Sequence, residues 1–206
     1  MALLKQAVRL LDDVPGADWN FGGGSALAFL FGHRISYDVD IFLHDAQVLA
    51  YLSPRVNDLS ASLAESYDEA ANGIKLTTHS GDIDFIVAGD VTTEATLLRR
   101  PAEFERDISI QAPAEILAKK VQYRGFRFTH RDIFDLAMLI ERDPTSVEKA
   151  LAGCARSEIE KATKAIREAL PNLRSELPKY VNPTEAFLPL LDRAPDLMRA
   201  FTTRTG

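Results

Sequence analysis

"NFGGGSALAFLFGHRISYDVDIFLHD", Asn20 to Asp45, is the stretch on which the fold turns. Three glycines and a serine open it, an apolar run follows, and Asp38 and Asp40 then flank a single valine. "DWNF", Asp18 to Phe21, reads as a short strand running into the glycines. "SALAFLFG" has helix-forming composition and a C-terminal stop at Gly32. "VDIFL" alternates as a strand does, with Val39, Ile41 and Leu43 on one face and Asp38, Asp40 and Phe42 on the other. The two aspartates therefore share a face. Two like charges so close, with an apolar backing, make a rigid clamp for a hard cation such as Mg²⁺ or Mn²⁺, which takes its other ligands from phosphate oxygens and water. The plainer reading is a solvated strand edge.

Working outward, "GIKLTTHSGDIDFIVAG" reads as a β-hairpin turned at "HSGD". Asp84 lies within it, framed by Ile83 and Phe85. If its strand lies beside "DVDIF", Asp84 completes a carboxylate triad suited to displacement at phosphorus. The glycines supply a second element. Gly23, Gly24 and Ser25 directly before a helix let backbone N–H groups approach a phosphate, and the helix N-terminus favours negative charge. Alone, such a run is more often a turn.

The rest of the chain sets the frame. It has 206 residues, 46% hydrophobic and 26% charged, enough for one ordinary domain or two small ones. The opening "MALLKQAVRLLDDVPG" is helical in spacing and broken by charges, so neither a signal peptide nor a membrane span is expected. The one cysteine, Cys154, excludes an internal disulfide and suits a reducing compartment. The expectation is a cytoplasmic protein with no membrane partner. Net charge is −6, but residues 1–110 carry −9 and residues 111–206 carry +3. That asymmetry suits an enzyme handling polyphosphates with metal ions better than a simple binding module. A helical pattern is expected over about 48–67, interrupted at Ser53-Pro54. "RDISIQ" reads as a further strand. From "APAE", with Pro113 in a first helical turn, helices continue almost to the end. Breaks are expected at Gly125–Thr129, Asp143-Pro144, Leu170-Pro171 and Leu177–Pro183. The organisation is an α/β unit over 1–110 and a helical unit over 111–206.

In "APAEILAKKVQYRG" Lys120 leaves from the apolar face of Ile116 and Leu117, whereas Lys119 points toward solvent. Lys120 needs a negative partner, a triphosphate or the aspartates, unless it snorkels at the helix flank. "KKVQYRGFRFTHR" has five Lys/Arg, no acid and three aromatics. Lys119, Arg124, Arg127 and Arg131 could neutralise RNA phosphates while Tyr123, Phe126 or Phe128 stack on a base, or the aromatics are core and the cations a solvated face. Asp132 and Asp135 share a helix face. Arg34 could grip a phosphate or pair with a surface acid. His33 has no second histidine at ligand spacing and is assigned no role. Ser36 shares the face of Asp38 and could tune the site or be modified.

Gly24-Ser25, the twelve-residue gap, Asp38-Val39-Asp40-Ile41 and Ile83-Asp84-Phe85 resemble the signature of the DNA polymerase β-like nucleotidyltransferases. With "EILAKKVQYRG" and "RDIFDL", residues 20–140 are similar to the AbiEii/AbiGii-type nucleotidyltransferase toxins of bacteria, the MenT proteins among them. The resemblance implies an α+β fold, a small mixed sheet flanked by helices, followed by a C-terminal helical bundle. It implies metal-dependent transfer of a nucleoside monophosphate from an NTP, in a toxin–antitoxin or phage-defence setting with a cognate antitoxin. The 3′ end of tRNA is the expected acceptor. By position, Asp38, Asp40 and Asp84 would hold the metal and Gly23, Gly24, Ser25, Arg34 and Lys120 the nucleotide. Lys120 and Asp135 would join the three aspartates as catalytic residues, with Asp132 either the site residue in place of Asp135 or only a helix cap. Arg131 stands where the family often has lysine. Transfer to a protein or a small molecule such as an antibiotic, or a silent nucleotide- or partner-binding module, are the competing readings.

Overall fold

The computed structural model describes residues 2–205. In chain order the elements are α1 (Ala2–Asp12), β1 (Trp19–Gly22), α2 (Gly23–Phe31), β2 (Val39–Leu43), α3 (Val48–Leu52), α4 (Asp58–Leu63), β3 (Ser66–Ala70), β4 (Gly73–Thr78), β5 (Gly81–Val87), β6 (Leu97–Arg99) and β7 (Ile108–Ile110). Six helices follow: α5 (Pro113–Arg124), α6 (His130–Arg142), α7 (Pro144–Gly153), α8 (Arg156–Ala169), α9 (Leu173–Tyr180) and α10 (Leu190–Thr205). They form two compact units. The first takes the chain up to Ala26, Ser36–Gly89 and Ala95–Gln111; the second takes Leu27–Ile35, Asp90–Glu94 and the chain from Ala112 on. Thus two short segments of the expected N-terminal part, including His33 and Arg34, cluster with the helices.

The first unit is built on a seven-stranded mixed sheet in the order β3-β4-β5-β2-β1-β7-β6. One row of its inner face runs Ile74, Phe85, Ile41, Phe21, Ile110 through consecutive strand pairs. All five are buried. α1 packs on β2 and β5 and buries Leu3, Leu4, Ala7, Val8, Leu10 and Leu11. Period two sends the next residue of each strand to the opposite face. That places Lys75, Asp84, Asp40 and Gly22 in a second row, each paired with the next.

Two strands depart from the expectation. Ser66 and Tyr67, expected in a helical stretch, belong to β3. This edge strand is exposed along its whole length, so it has no apolar alternation to announce it and is held by pairing to β4. β6 is three residues at the opposite edge and equally unmarked. The hairpin is as expected, β4 and β5 closing through His79-Ser80 with Thr78 opposite Gly81.

In the second unit α5 packs against α7 and α8, and α6 against α7, α9 and α10. Pro113 sits in the first turn of α5. A break not foreseen separates α7 from α8 at Cys154-Ala155. α9 runs through Pro178 to Tyr180, so the break expected from Leu177 begins later. None of the described helices is long and apolar enough to cross a membrane.

Candidate active site

The glycines meet the aspartates through the sheet register. Gly22 lies opposite Asp40 on β1 and β2, and Asp40 opposite Asp84 on the parallel pair β2 and β5. The condition set by the sequence is thereby met: Asp84 neighbours Asp40 on the same face. Gly23 has φ +65°, and a Cβ there would come within 1.8 Å of Asp40 Oδ2. At Gly22 a Cβ would meet Gln111 Oε1 at 2.4 Å and the Phe42 ring at 2.5 Å. These two positions are glycine because neighbouring side chains occupy the space a Cβ needs. α2 then begins at Gly23, two residues earlier than its composition suggests. Ser25 is buried, its hydroxyl 3.5 Å from the carbonyl oxygen of Gly22.

The electrostatics are those of a site built for positive charge. Burial pushes the Asp84 carboxyl above its ordinary value; Lys75 pulls it back, while Asp82 and Asp38 push it further up. Lys75, across the hairpin, donates to Asp82 at 2.7 Å and stands 3.6 Å from Asp84. Its own pKa is raised, first by the bond to Asp82, despite partial burial. Among the described residues no three His, Cys, Asp or Glu side chains form a ready-made metal cage. A hard divalent cation completed by phosphate and water needs only one or two carboxylates. The carboxylates of this face, with burial disfavouring the charge on Asp84, fit such an ion. Lys75 carries no motif in the sequence, although the hairpin turn fixes its partner.

The second unit holds another cluster. Asp135 is fully buried and accepts from His33 Nε2 at 2.7 Å, Arg34 Nε at 2.7 Å, Arg34 Nη2 at 3.1 Å and Lys120 Nζ at 2.6 Å. Lys120 also donates to Asp132 at 2.7 Å. Asp132 forms a capping box with Thr129 at the start of α6, so it both caps the helix and pairs with Lys120. Burial alone would push Asp135 up, but Lys120, Arg34 and His33 hold it well below the usual carboxylate range. Burial likewise opposes the charge on Asp132, and Lys120 and Arg124 overcome it and lower its pKa. Lys120 is raised in turn: burial disfavours its charge, and Asp132 and Asp135 outweigh burial. Arg34, expected on a phosphate or a surface acid, grips this buried one with its Nε–H and Nη2–H. His33, given no role, is part of the same cluster, with its ring stacked on Phe134.

Lys119 is corrected. It is buried, 3.2 Å from both Glu115 and Asp90, and does not point toward solvent. Glu115 draws it in while accepting from the backbone of Val91 and Thr92. Arg124, Arg127 and Arg131 are exposed. Of the three aromatics Phe128 is core, whereas Tyr123 is 52% and Phe126 60% exposed. Arg127 lies over the Phe126 ring at 5.3 Å.

Residues 8–202 match the family described as nucleotidyl transferase AbiEii toxin, type IV toxin–antitoxin system. The chain belongs to the AbiEii family. It is a nucleotidyltransferase toxin, and its type IV system implies an NTP substrate and a cognate antitoxin. Among solved structures, this AbiEii chain is similar to an assigned nucleotidyltransferase from H. pylori, with a TM-score of 0.51 and 15% identity over 100% of this chain and 95% of that one. That likeness supports the α+β nucleotidyltransferase fold. JHP933 from Helicobacter pylori gives a TM-score of 0.48 at 14% identity, covering 98% and 91%. An antigenic nucleotidyltransferase-like protein from Paracoccidioides brasiliensis gives 0.47 at 20%, covering 86% and 91%. No curated protein matches this sequence.

Proposed function

We propose that the chain transfers a nucleoside monophosphate from an NTP to the 3′ end of tRNA, with Asp38, Asp40 and Asp84 holding Mg²⁺ or Mn²⁺. The observation that carries this reading is the row Gly22–Asp40–Asp84 across β1, β2 and β5, with the α-carbon of Gly23 against the Asp40 carboxylate. A phosphate chain lying at the start of α2 is then next to carboxylates that need a cation. The bound ion would neutralise charge on the phosphates and orient the α-phosphorus for in-line attack. Gly23 and Gly24 offer backbone N–H donors, and Ser25 offers a hydroxyl. Asp84, the carboxylate pushed up by burial, is suited to accept a proton from the attacking 3′-hydroxyl. The acceptor oxygen forms the new bond to the α-phosphorus, and pyrophosphate leaves. Lys120 and Asp135 fix the buried cluster of the helical unit, and a part in catalysis is proposed for them as well.

Transfer to RNA is supported by the exposed Tyr123 and Phe126 beside Arg124 and Arg127, cations with stacking faces in a chain of net charge −6. The test is incubation with total tRNA and each α-labelled NTP in turn with Mg²⁺, comparing wild type with Asp38→Ala and Asp40→Ala. Label at the tRNA 3′ end from one or two NTPs, lost in both variants and on chelation, is expected. Equal label from all three proteins would sink the metal assignment; label in protein or a small product alone would replace the acceptor. Joint Arg124→Ala and Arg127→Ala substitution is expected to weaken tRNA binding. The slope of log affinity against log salt should fall by about 1 for each phosphate that an arginine no longer neutralises. A filter-binding titration across salt concentrations reads this directly.

A further inference from the structure

Gln111 follows β7 and extends its ladder by one bond, its N–H donating to the Phe21 carbonyl at 2.9 Å. Since Phe21 and Ile110 are a pair on the core face, period two turns Gln111 onto the face of Gly22, Asp40 and Asp84. The side chain is 1% exposed, and neither its Oε1 nor its Nε2 has a hydrogen-bond partner among the described residues. Burying both ends of a carboxamide unpaired is unfavourable enough to require a reason. The carboxamide fills the space above the α-carbon of Gly22, where a side chain would collide with it. The carbonyl of that same glycine is the one that Ser25 Oγ reaches only at 3.5 Å, the outer limit of a hydrogen bond.

We propose that Gln111 is a positioning residue for the donor nucleotide and that it works by a hydrogen-bond exchange at Gly22. Ser25 holds the Gly22 carbonyl only weakly. When a phosphate arrives at the start of α2, the Ser25 hydroxyl turns to donate to a phosphate oxygen. The freed Gly22 carbonyl then accepts from Gln111 Nε2–H. One weak bond is exchanged for two, one to the ligand and one within the turn, so the Nε2 end of the carboxamide gains the partner it otherwise lacks. The inference rests on the phosphate reading of the glycine turn. It is independent of which hydroxyl accepts the nucleotide.

The experiment pairs melting temperature with NTP affinity for wild type and Gln111→Met, an apolar side chain of similar length. Without a buried unpaired carboxamide, the nucleotide-free variant is expected to melt a few degrees higher. Its Kd for the preferred NTP, by calorimetry with Mg²⁺, is expected to rise about tenfold, the effect of one net hydrogen bond. Gln111→Asn keeps the chemistry one methylene short and is expected to weaken NTP binding without the gain in melting temperature. It carries the test should the Met variant not fold. A lower melting temperature with unchanged Kd would show that Gln111 serves the fold alone and would overturn the proposal. Wild type binding none of the four NTPs would overturn the nucleotide reading itself, and the exchange with it.

Discussion

Gly23→Ala is expected to lower nucleotidyl transfer by about a hundredfold or more, although position 23 lacks any side chain chemistry to lose. An added Cβ would lie 1.8 Å from Oδ2, 2.5 Å from Cγ and 2.8 Å from Cβ of Asp40. Atoms do not share that space, so either the turn or the Asp40 carboxylate must move. Displacement of a reacting constellation by about 1 Å already lowers rates by roughly a hundredfold. Stability should fall too, by about 1–2 kcal/mol for an L-residue at φ +65° and by a further ~1–3 kcal/mol for the overpacking. The clash has an identifiable partner, which makes the prediction sharp. In an Asp40→Gly background the colliding atoms are gone, and Gly23→Ala should then cost only the backbone contribution. A double-mutant cycle by denaturant unfolding should give a coupling of about 1–3 kcal/mol, the overpacking share. Additive effects would mean that the glycine and the aspartate do not touch in solution.

That juxtaposition was half legible in the chain. The pattern Gly-Ser, twelve residues, Asp-x-Asp could announce that glycines and aspartates belong together, but only the antiparallel register of β1 and β2 puts Gly22 opposite Asp40. The Asp40–Asp84 pairing depended on a strand adjacency that period-two patterning cannot supply. Lys75 was within reach of local reasoning: once His79-Ser80 is taken as the turn, counting back puts Lys75 opposite Asp84. The cluster around Asp135 was less accessible. Its members at 33, 34, 120, 132 and 135 come from three separate stretches, and charged side chains read from sequence alone default to solvent. That default misplaced Lys119, whose apolar stem and buried Glu115 partner draw it inward. Gln111 was invisible for a different reason. An isolated glutamine after a three-residue strand carries no motif, and its interest lies in lacking partners, which only packing reveals.

The largest effect on stability is expected at Asp135. Removing its carboxylate by Asp135→Ala leaves Arg34 and Lys120 in a buried setting with one fewer counter-charge, which typically costs about 3–5 kcal/mol. That is a large part of the ~5–15 kcal/mol that holds a domain together. Lys120→Met should cost less, because Asp135 keeps Arg34 and His33 and Asp132 keeps its cap on Thr129. Acid titration separates the contributions. Asp132 and Asp135 have folded pKa values below the ordinary 3.8, so the stability they confer is fully present above that value. It is lost as pH falls through the folded values. Lys120 is raised above 10.5, so its share is present below 10.5 and lost as pH rises through its folded value. The contributions of Lys120, Asp132 and Asp135 are therefore constant between about pH 5 and 9, and the acid limb belongs to the two aspartates. In Asp135→Asn the limb below pH 4 should be shallower by up to one proton, about 1.4 kcal/mol per pH unit. Urea unfolding at a series of pH values measures it. The same variant, assayed for transfer well below its melting temperature, distinguishes the two duties given to this aspartate. Activity that follows the folded fraction assigns Asp135 to holding α5, α6 and the Arg34 segment together; loss from fully folded protein adds catalysis to that role.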